Sequence, residues 1–283
     1  MNQPDPKWGQ PDPTHDPYIL ANFKARPTDV LITTAPKAGT TWMQQILHQL
    51  RSGGDENFRN IDDVVPWLEF PRPNLSLENR LQQLEDLQNP RVFKTHCTYA
   101  QTPGVDTARI ILTFRDPRDC CVSFYHHLRD MTDEVREELQ IEIPESLNDY
   151  VERWLDQASW YRNVNSWWPH RNQSNILLLK YENLVADLSS SMDQILDFLE
   201  WNIRPEQKEK TLELASFSWM KQNASRFMLH RNGKPTFKPG GFIRKGKTGE
   251  GKEHLAPEME RRILDKAKNV LDRDCLLFLG IDE

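Results

Sequence analysis

The sequence predicts an α/β fold: a single domain built on a parallel β-sheet that helices flank on both faces. Four short apolar runs, at residues 30–33, 91–95, 110–114 and 176–179, have the length and composition of buried strands. A helix-like or loop segment follows each run, and this alternation is typical of parallel sheets. No internal repeat and no second core pattern occur in the 283 residues, so we expect one domain.

The remaining segments are assigned around this sheet. Residues 1–20 contain five prolines and little hydrophobic periodicity, so we expect a surface arm followed by a domain at 21–283. The acidic residues 130–144 read as a loop or a marginal helix that could close over a site. Residues 147–168 predict one long helix whose aromatic stripe serves packing, and residues 257–277 predict one amphipathic helix.

Composition narrows the class of protein. The net charge of −6 argues against a nucleic-acid binder with a generally basic surface, so an anion site must be local. The four cysteines form no Cys-x-x-Cys metal pattern, which fits reduced thiols. No apolar run approaches the roughly 18 residues of a membrane span, and the N-terminus has no signal-type apolar core. We therefore expect a cytoplasmic protein that does not bind membranes.

The strongest chemical signal lies between the first strand and the helix after it. Gly39 allows the backbone to approach an anion, and the free N–H groups of a helix start favour negative charge. Lys37, Thr40 and Thr41 add one positive charge and two hydroxyl donors. The loop therefore predicts a P-loop-like phosphate cradle, although turn chemistry and helix capping alone are an alternative. It is not a Walker loop, because its lysine precedes the glycine.

The end of the second strand carries a possible base and a cation. Side chains alternate across a strand, so Lys94 and His96 lie on one face. An imidazole there can act as a base, or it can be a structural histidine at a strand end.

The third strand ends in an arginine at a helix start. Arg115 stands at that helix start and can hold a phosphate, and Ser123 lies about two helical turns into the helix. Alternatively, Arg115 pairs with Asp116 or Asp119, as surface arginines often do.

Three further segments complete the predicted site. Tyr181 follows the fourth strand, and the carboxyl ends of parallel strands form one edge at which ligands bind. Residues 231–252 are strongly basic, with Glu250 as their single carboxylate, and predict an anion-binding segment. The apolar side chains of residues 64–71 either fill the core or line an apolar pocket.

Four motifs, in order along the chain, resemble those of the PAPS-dependent, cytosolic-type sulfotransferase family. They are P-K-A-G-T-T-W at 36–42, K-T-H at 94–96, the arginine and serine at 115 and 123, and R-K-G-x-x-G at 244–249. The resemblance runs from about residue 20 to about residue 255. It implies transfer of a sulfuryl group from 3′-phosphoadenosine 5′-phosphosulfate (PAPS) to a hydroxyl of a small hydrophobic phenol or alcohol. An amine acceptor stays open, and no metal is implied.

The resemblance also implies a role for individual residues. His96 would take the acceptor's proton, while Lys37 and Lys94 would stabilise charge on the leaving oxygen and the sulfuryl group. The residues implied in donor binding are Lys37, Ala38, Gly39, Thr40, Thr41, Trp42, Arg115, Ser123, Tyr181, Phe217, Phe242, Arg244, Lys245 and Gly246. Those implied in acceptor binding are Trp67, Leu68, Phe70 and Tyr125.

The chain departs from the family pattern at several positions. Ala215 stands where a threonine often helps to hold adenine, and Glu250, Gly251 and Glu253 replace aspartate, tryptophan and asparagine. The usual dimer motif is absent, so we expect a monomer or a dimer formed in another way. A metal-dependent P-loop kinase and a non-catalytic nucleotide-binding protein stay open as other functions.

Overall fold

The centre of the fold is a parallel sheet of four strands in the order β2-β1-β3-β4. The computed structural model describes residues 4–72, 74–231 and 233–281, so the ends of the predicted arm and of the predicted domain lie outside the described residues. The strands are β1 Val30–Thr33, β2 Val92–Thr95, β3 Arg109–Phe114 and β4 Ile176–Lys180. Their three pairings are all parallel. The predicted α/β fold is confirmed.

Helices cover this sheet. The α-helices of the described residues are α1 Pro17–Asn22, α2 Thr40–Ser52, α3 Ile61–Val64, α4 Leu77–Glu85, α5 Pro117–Arg129, α6 Asp133–Glu138, α7 Leu147–Gln157, α8 Ser159–Trp167, α9 Tyr181–Ala186, α10 Leu188–Leu199, α11 Pro205–Leu214, α12 Phe217–Gln222, α13 Glu250–His254, α14 Pro257–Val270 and α15 Arg273–Leu279. A small antiparallel pair, β5 His230–Arg231 and β6 Lys234–Pro235, lies apart from the main sheet. Within the described ranges, no helix is both long enough and apolar enough to cross a membrane.

Two hydrophobic clusters pack against opposite faces of the sheet. Along β3, Ile110 and Leu112 belong to one cluster, while Ile111 between them belongs to the other. Alternate residues of a strand point to opposite faces, so helices must cover both sides. The aromatic stripe belongs to the first cluster, with Trp160 and Trp167 almost fully buried, as a packing role requires.

Two predicted helices are each divided in the structure. The segment 147–168 breaks at Ala158, which adopts a left-handed conformation at φ 50° between α7 and α8. The segment 257–277 breaks at Leu271 and Asp272, where extended backbone separates α14 from α15. The prediction of single helices is therefore wrong for both segments. Neither break has a glycine or proline that would indicate it in the sequence.

The predicted N-terminal arm reaches into the fold. Its described part forms a short 3₁₀-helix at Pro6–Trp8 and then leads into α1. Ile19 and Leu20 of α1 are about 1% exposed in the main core, so the predicted boundary after residue 20 falls inside a packed helix. The N–H of Asp16 donates to the carbonyl oxygen of Glu69 and fixes the arm beside the loop that follows α3.

Candidate active site

A cavity of about 760 Å³ opens at the carboxyl edge of the sheet. It is lined by Lys37 after β1, His96 after β2, Arg115 after β3 and Tyr181 after β4. Residues far apart in sequence converge here because parallel strands end at a common edge. Each strand thus contributes one of the side chains that the sequence singled out.

The loop after β1 has the geometry of an anion cradle. Gly39 caps the N-terminus of α2 at φ 98°, a left-handed conformation that favours glycine. A Cβ there would lie 2.9 Å from the ring of Tyr181, so a side chain would also fill the space beside the loop. The Thr40 hydroxyl is 2.5 Å from that of Thr34, which ties the first turn of α2 to the end of β1.

His96 is held in the orientation of a base. Its Nδ1 lies 2.8 Å from the carbonyl oxygen of Thr34, which can only accept, so Nδ1 carries the proton and Nε2 keeps a free lone pair. The backbone N–H of His96 donates to Glu69 Oε1 at 2.9 Å. Burial and the neighbouring charge of Lys94 lower the pKa of His96 to about 3, so the ring is neutral at neutral pH.

Two buried lysines line the cavity, and their charged forms are disfavoured there. Burial, together with Arg115, Lys94 and Arg244, lowers the pKa of Lys37 to about 7. Burial also lowers the pKa of Lys94 to about 8, although Glu69 partly opposes this shift. Such shifts mean that these groups lack enough negative charge nearby, and a bound anion would supply it.

Arg115 links two parts of the cavity wall. Its two terminal nitrogens donate to the carbonyl oxygens of Lys37 at 3.0 Å and Lys247 at 2.9 Å. It also lies 3.5 Å from Asp119 and stands over the Tyr181 ring, 4.4 Å from its centroid. The alternative pairing with Asp119 therefore occurs, yet Arg115 Nε is buried and has no partner among the described residues.

Two basic residues of the segment 231–252 form ion pairs with Glu250 of the same segment. Arg244 and Lys245 each place a nitrogen 2.8 Å from Glu250 Oε1. Burial alone would raise the pKa of this carboxyl, but the hydrogen bonds from Arg244 and Lys245 hold the pKa of Glu250 at about 2. The departure from the family pattern at Glu250 thus places an internal counter-ion beside the anion-binding groups.

Close packing explains the glycine that follows Glu250 in place of a tryptophan. A Cβ on Gly251 would lie 2.3 Å from the Cβ of Arg118, so only glycine lets α13 approach α5 this closely. The N–H groups of Gly249 and Gly251 donate to Asp119 at 2.9 and 2.8 Å. Asp119 therefore anchors the basic segment to the helix that carries Ser123.

Aromatic rings gather at one end of the cavity. Trp42 and Tyr181 make an edge contact with centroids 5.8 Å apart, and Trp42 Nε1 donates to the carbonyl oxygen of Ala215 at 2.7 Å. Phe217 is 40% exposed at the rim. Gly246 lies under it at φ 61°, where a Cβ would come within 2.5 Å of the ring. This end suits a flat aromatic group.

The other end of the cavity is mainly apolar. Trp67 and Phe70 line it, with centroids 4.9 Å apart. The segment expected to act as a lid contributes Met131, Leu139 and Ile141, and the described part of the arm also lines this end, as do Phe124, Phe237 and Phe242. This end of the cavity is therefore closed by two segments to which the sequence assigned no binding residue.

Most of the predicted site residues line this one cavity, but three do not. Ala38, Leu68 and Tyr125 are absent from its lining and buried in the main core instead. The Leu68 N–H donates to the carbonyl oxygen of Lys94, so this residue supports the edge of β2. Tyr125 faces away from the cavity, because its ring packs against Tyr150 with centroids 5.5 Å apart.

Two contributions to the site were missed by the sequence. His127 lines the cavity and is one helical turn after Ser123 on α5, so helical spacing could have found it. His15 from the arm meets Glu69 and Cys97, and ligand atoms of the three lie within 4.8 Å of one another, a spacing that could admit a metal ion. Glu69 Oε2 is buried there without a partner among the described residues. The absence of a metal stays a prediction.

Comparison with known proteins gives a consistent result. The sulfotransferase domain family model matches residues 27–273. An amine sulfotransferase of Oryctolagus cuniculus is 31% identical over 257 residues, which are 86% of this chain and 80% of that protein. Sulfotransferase 1 family member D1 of Rattus norvegicus is 32% identical over 251 residues, covering 83% of this chain and 81% of that protein.

Solved structures show the same fold. Mouse sulfotransferase SULT7A1 complexed with PAP has a TM-score of 0.72 at 22% identity, covering 91% of this chain and 89% of that one. Retinol dehydratase in complex with androsterone and PAP has a TM-score of 0.70 at 23% identity, covering 89% of this chain and 83% of that one. Since the family model and curated relatives match most of the sequence, the chain belongs to the sulfotransferase family and is a sulfotransferase enzyme.

Proposed function

We propose that this enzyme transfers a sulfuryl group from PAPS to a hydroxyl of a small, mainly apolar phenol or alcohol, with His96 as general base. The observation that carries the proposal is one cavity that holds a neutral histidine with a free Nε2 beside two buried lysines. A base for the acceptor and positive charge for the donor are what sulfuryl transfer needs.

The part of the cavity between the loop after β1 and the basic segment is suited to the donor. Two similar solved structures are complexed with PAP, the bisphosphate that remains when PAPS gives up its sulfuryl group. In this chain the 5′-phosphosulfate of the donor would lie in the loop at 37–41. The adenine of the donor would lie between Trp42, Tyr181 and Phe217. The 3′-phosphate would be held by Arg115, Ser123, Arg244, Lys245 and Gly246, for which it would compete with Glu250.

The reaction is an in-line displacement at sulfur. His96 Nε2 takes the proton of the acceptor hydroxyl while the acceptor oxygen forms a bond to sulfur. The bond from sulfur to the bridging oxygen breaks, and its electron pair stays on the phosphate. Lys37 stabilises the charge that develops on this oxygen, and Lys94 stabilises charge on the sulfuryl oxygens. We expect no metal to be required, since the buried lysines supply the positive field.

The acceptor is assigned from the apolar end of the cavity. Trp67, Phe70 and the aromatic residues around them suit a hydrophobic ring system. One solved relative binds androsterone and another structure of retinol dehydratase contains retinol, both of which are apolar molecules with a hydroxyl. Because a relative at 31% identity is an amine sulfotransferase, an amine is the second candidate acceptor.

We expect a cytoplasmic monomer, or a dimer without the family's usual motif.

The test is sulfuryl transfer itself. Purified enzyme is incubated with ³⁵S-labelled PAPS and a panel of phenols, hydrophobic alcohols and amines, and labelled products are separated. We expect transfer to at least one phenol or alcohol. His96→Ala should lower this rate by about 10²–10⁴-fold, the usual contribution of a general base, while it leaves PAP binding within a few-fold. A variant that keeps most of its activity would end the base assignment.

A further inference from the structure

A second histidine faces the reactive end of the cavity. His127 lies on α5, one turn beyond Ser123, and its ring lines the cavity between Phe237 and Phe124. Its Nδ1 is 3.1 Å from Lys37 Nζ, within hydrogen-bond distance. In the described parts of the chain, no other side chain is hydrogen-bonded to Lys37 Nζ, since Arg115 bonds to the backbone carbonyl oxygen of Lys37 instead. We propose that His127 is a positioning residue, which accepts a hydrogen bond from Lys37 and orients its ammonium group toward the leaving oxygen of the donor.

The proposal rests on the proposed function, and the charged form of Lys37 sets the direction of the hydrogen bond. The ammonium group has three N–H donors and no acceptor, so when Lys37 is protonated, Nδ1 of His127 must accept and Nε2 must carry the ring proton. Burial and the charges of Lys37, Lys94 and His96 hold the pKa of His127 well below its usual value, so the ring stays neutral and keeps its free Nδ1. One N–H of Lys37 is thereby occupied, and the other two remain for the donor.

Positioning is needed because the other described contacts of Lys37 hold its ammonium group weakly: Arg115 bonds to its backbone carbonyl oxygen, and the Phe242 ring centroid lies 5.9 Å from its Nζ. Its backbone has φ 68°, a left-handed conformation that is uncommon for residues with a side chain. Its flexible side chain would otherwise explore several rotamers, at a cost in entropy when it is fixed on the leaving oxygen. A catalytic charge that is already oriented does not have to reorganise during the reaction.

The interaction also has a consequence for pH. The groups that face Lys37 are Lys94 and His96 from the end of β2, Arg115 from β3, Arg244 from the basic segment, and Cys120 and His127 from α5. The cations among them lower the pKa of Lys37, whereas a hydrogen bond from its ammonium to neutral His127 favours the charged form. Removing the acceptor nitrogen should therefore lower the pKa of Lys37 and bring the alkaline loss of activity to lower pH.

Three variants separate positioning from packing. His127→Phe keeps a ring but has no acceptor, and His127→Asn places its amide oxygen near the position of Nδ1. The matched control is His126→Asn, one residue earlier on the same helix, because the ring of His126 contacts Tyr125 and His254 and does not line the cavity.

The measurements are kcat, KM for PAPS and the pH profile of kcat. For His127→Phe we expect kcat to fall on the order of 10-fold, as for one lost hydrogen bond to a charged group, with KM for PAPS within about 3-fold. The alkaline limb should move to lower pH. His127→Asn should recover most of kcat and restore the limb, and His126→Asn should resemble the unmodified enzyme. A His127→Phe enzyme with unchanged kcat and an unmoved limb, or a folded His127→Asn enzyme as slow as His127→Phe, would overturn the proposal.

A second measurement needs no turnover, so it separates this inference from the proposed function. The ¹⁵N spectrum of histidine-labelled protein at pH 6 should show His127 neutral, with the proton on Nε2, and Lys37→Met should change that signal. A proton on Nδ1, or a signal unaffected by Lys37→Met, would contradict the interaction. Absence of transfer in a protein that shows the expected tautomer would instead count against the proposed function.

Discussion

At the scale of single residues, the site combines a neutral base with lysines that are only partly charged when no anion is bound. The pKa of Lys37 is near 7 and that of Lys94 near 8, chiefly because burial disfavours the charged forms. The pKa of His96 is near 3 for the same reason, reinforced by Lys94. An anionic donor reverses part of this effect, since opposite charge favours the protonated lysines and makes the imidazole a stronger base.

A proton should therefore be taken up when the donor site is filled above neutral pH. Free Lys37 is mostly neutral at pH 8, and a bound bisphosphate raises its pKa, so binding draws protons from solution. Calorimetric titration with PAP at pH 8, in two buffers of different ionisation enthalpy, measures this uptake. The affinity should also weaken as pH rises through 7 to 9.

The control for this prediction is Lys37→Met. The phosphates of PAP are already ionised at pH 8, because their second pKa is near 6, so the protein supplies the signal. The variant should lose most of the uptake and keep only a smaller part from Lys94. If the unmodified protein binds PAP without taking up protons, the assignment of Lys37 to the donor site fails.

At the scale of elements, the sequence predicted the strands and helix starts that are set by neighbouring residues. The four strands begin and end within one residue of their expected bounds, because each is an apolar run between polar segments. The start of α5 was also predictable, since Asp116 caps the helix and Pro117 occupies its first position. The anion-binding loop and the basic segment lie in continuous motifs, so their residues were predictable as well.

The features that were missed depend on tertiary contacts. The left-handed turn at Ala158 costs about 1–2 kcal/mol locally, and buried rings on both sides of it, Trp154 and Trp160, offset this cost. No local pattern reports such packing. Likewise, His15 reaches Glu69 only because the arm folds across the end of β2, and nothing in the composition of the arm indicates that path.

One prediction concerns the turn that carries the basic segment. Gly246→Ala would place a methyl group 2.5 Å from the Phe217 ring, so the ring must move from the aromatic end of the cavity. We expect PAP affinity to fall by about 5-fold or more, in addition to a loss of stability of about 1–2 kcal/mol for the left-handed backbone.

Gly240→Ala is the matched control. Gly240 also has a left-handed backbone, at φ 76°, but a Cβ there meets nothing within 4 Å, and this residue does not line the cavity. Both variants should lose similar stability in thermal unfolding, and only Gly246→Ala should bind PAP more weakly in titration. Equal affinities would show that Phe217 and Gly246 do not shape the donor site.

At the scale of the whole molecule, the cavity lies at a single sheet edge, and the segments that close its apolar end come from the N-terminal arm and from the middle of the chain. The residues expected to bind the donor lie in short motifs, because phosphate binding uses backbone geometry and charge, and all of them except Ala38 line the cavity. The apolar end is built from side chains of the arm, the 130–144 segment and the loop that follows α3, which meet only after folding.

The metal requirement is also a property of the whole site. Because buried lysines supply the positive charge for transfer, we expect turnover to be unchanged by excess chelator. If the cluster of His15, Glu69 and Cys97 binds a metal ion that the enzyme needs, chelator would lower turnover. A control with His15→Ala would then distinguish loss of an ion at that cluster from a general magnesium requirement, which would favour a kinase.

The central claim is that the cavity at the sheet edge is a PAPS site, and direct titration tests it most simply. The purified protein is titrated by calorimetry with PAP and, separately, with ATP and magnesium. We predict micromolar or tighter binding of PAP and much weaker binding of ATP–magnesium, because Arg115, Arg244 and their neighbours hold a 3′-phosphate that ATP lacks. Tight binding of ATP–magnesium alone would contradict the assignment of these residues and favour a kinase.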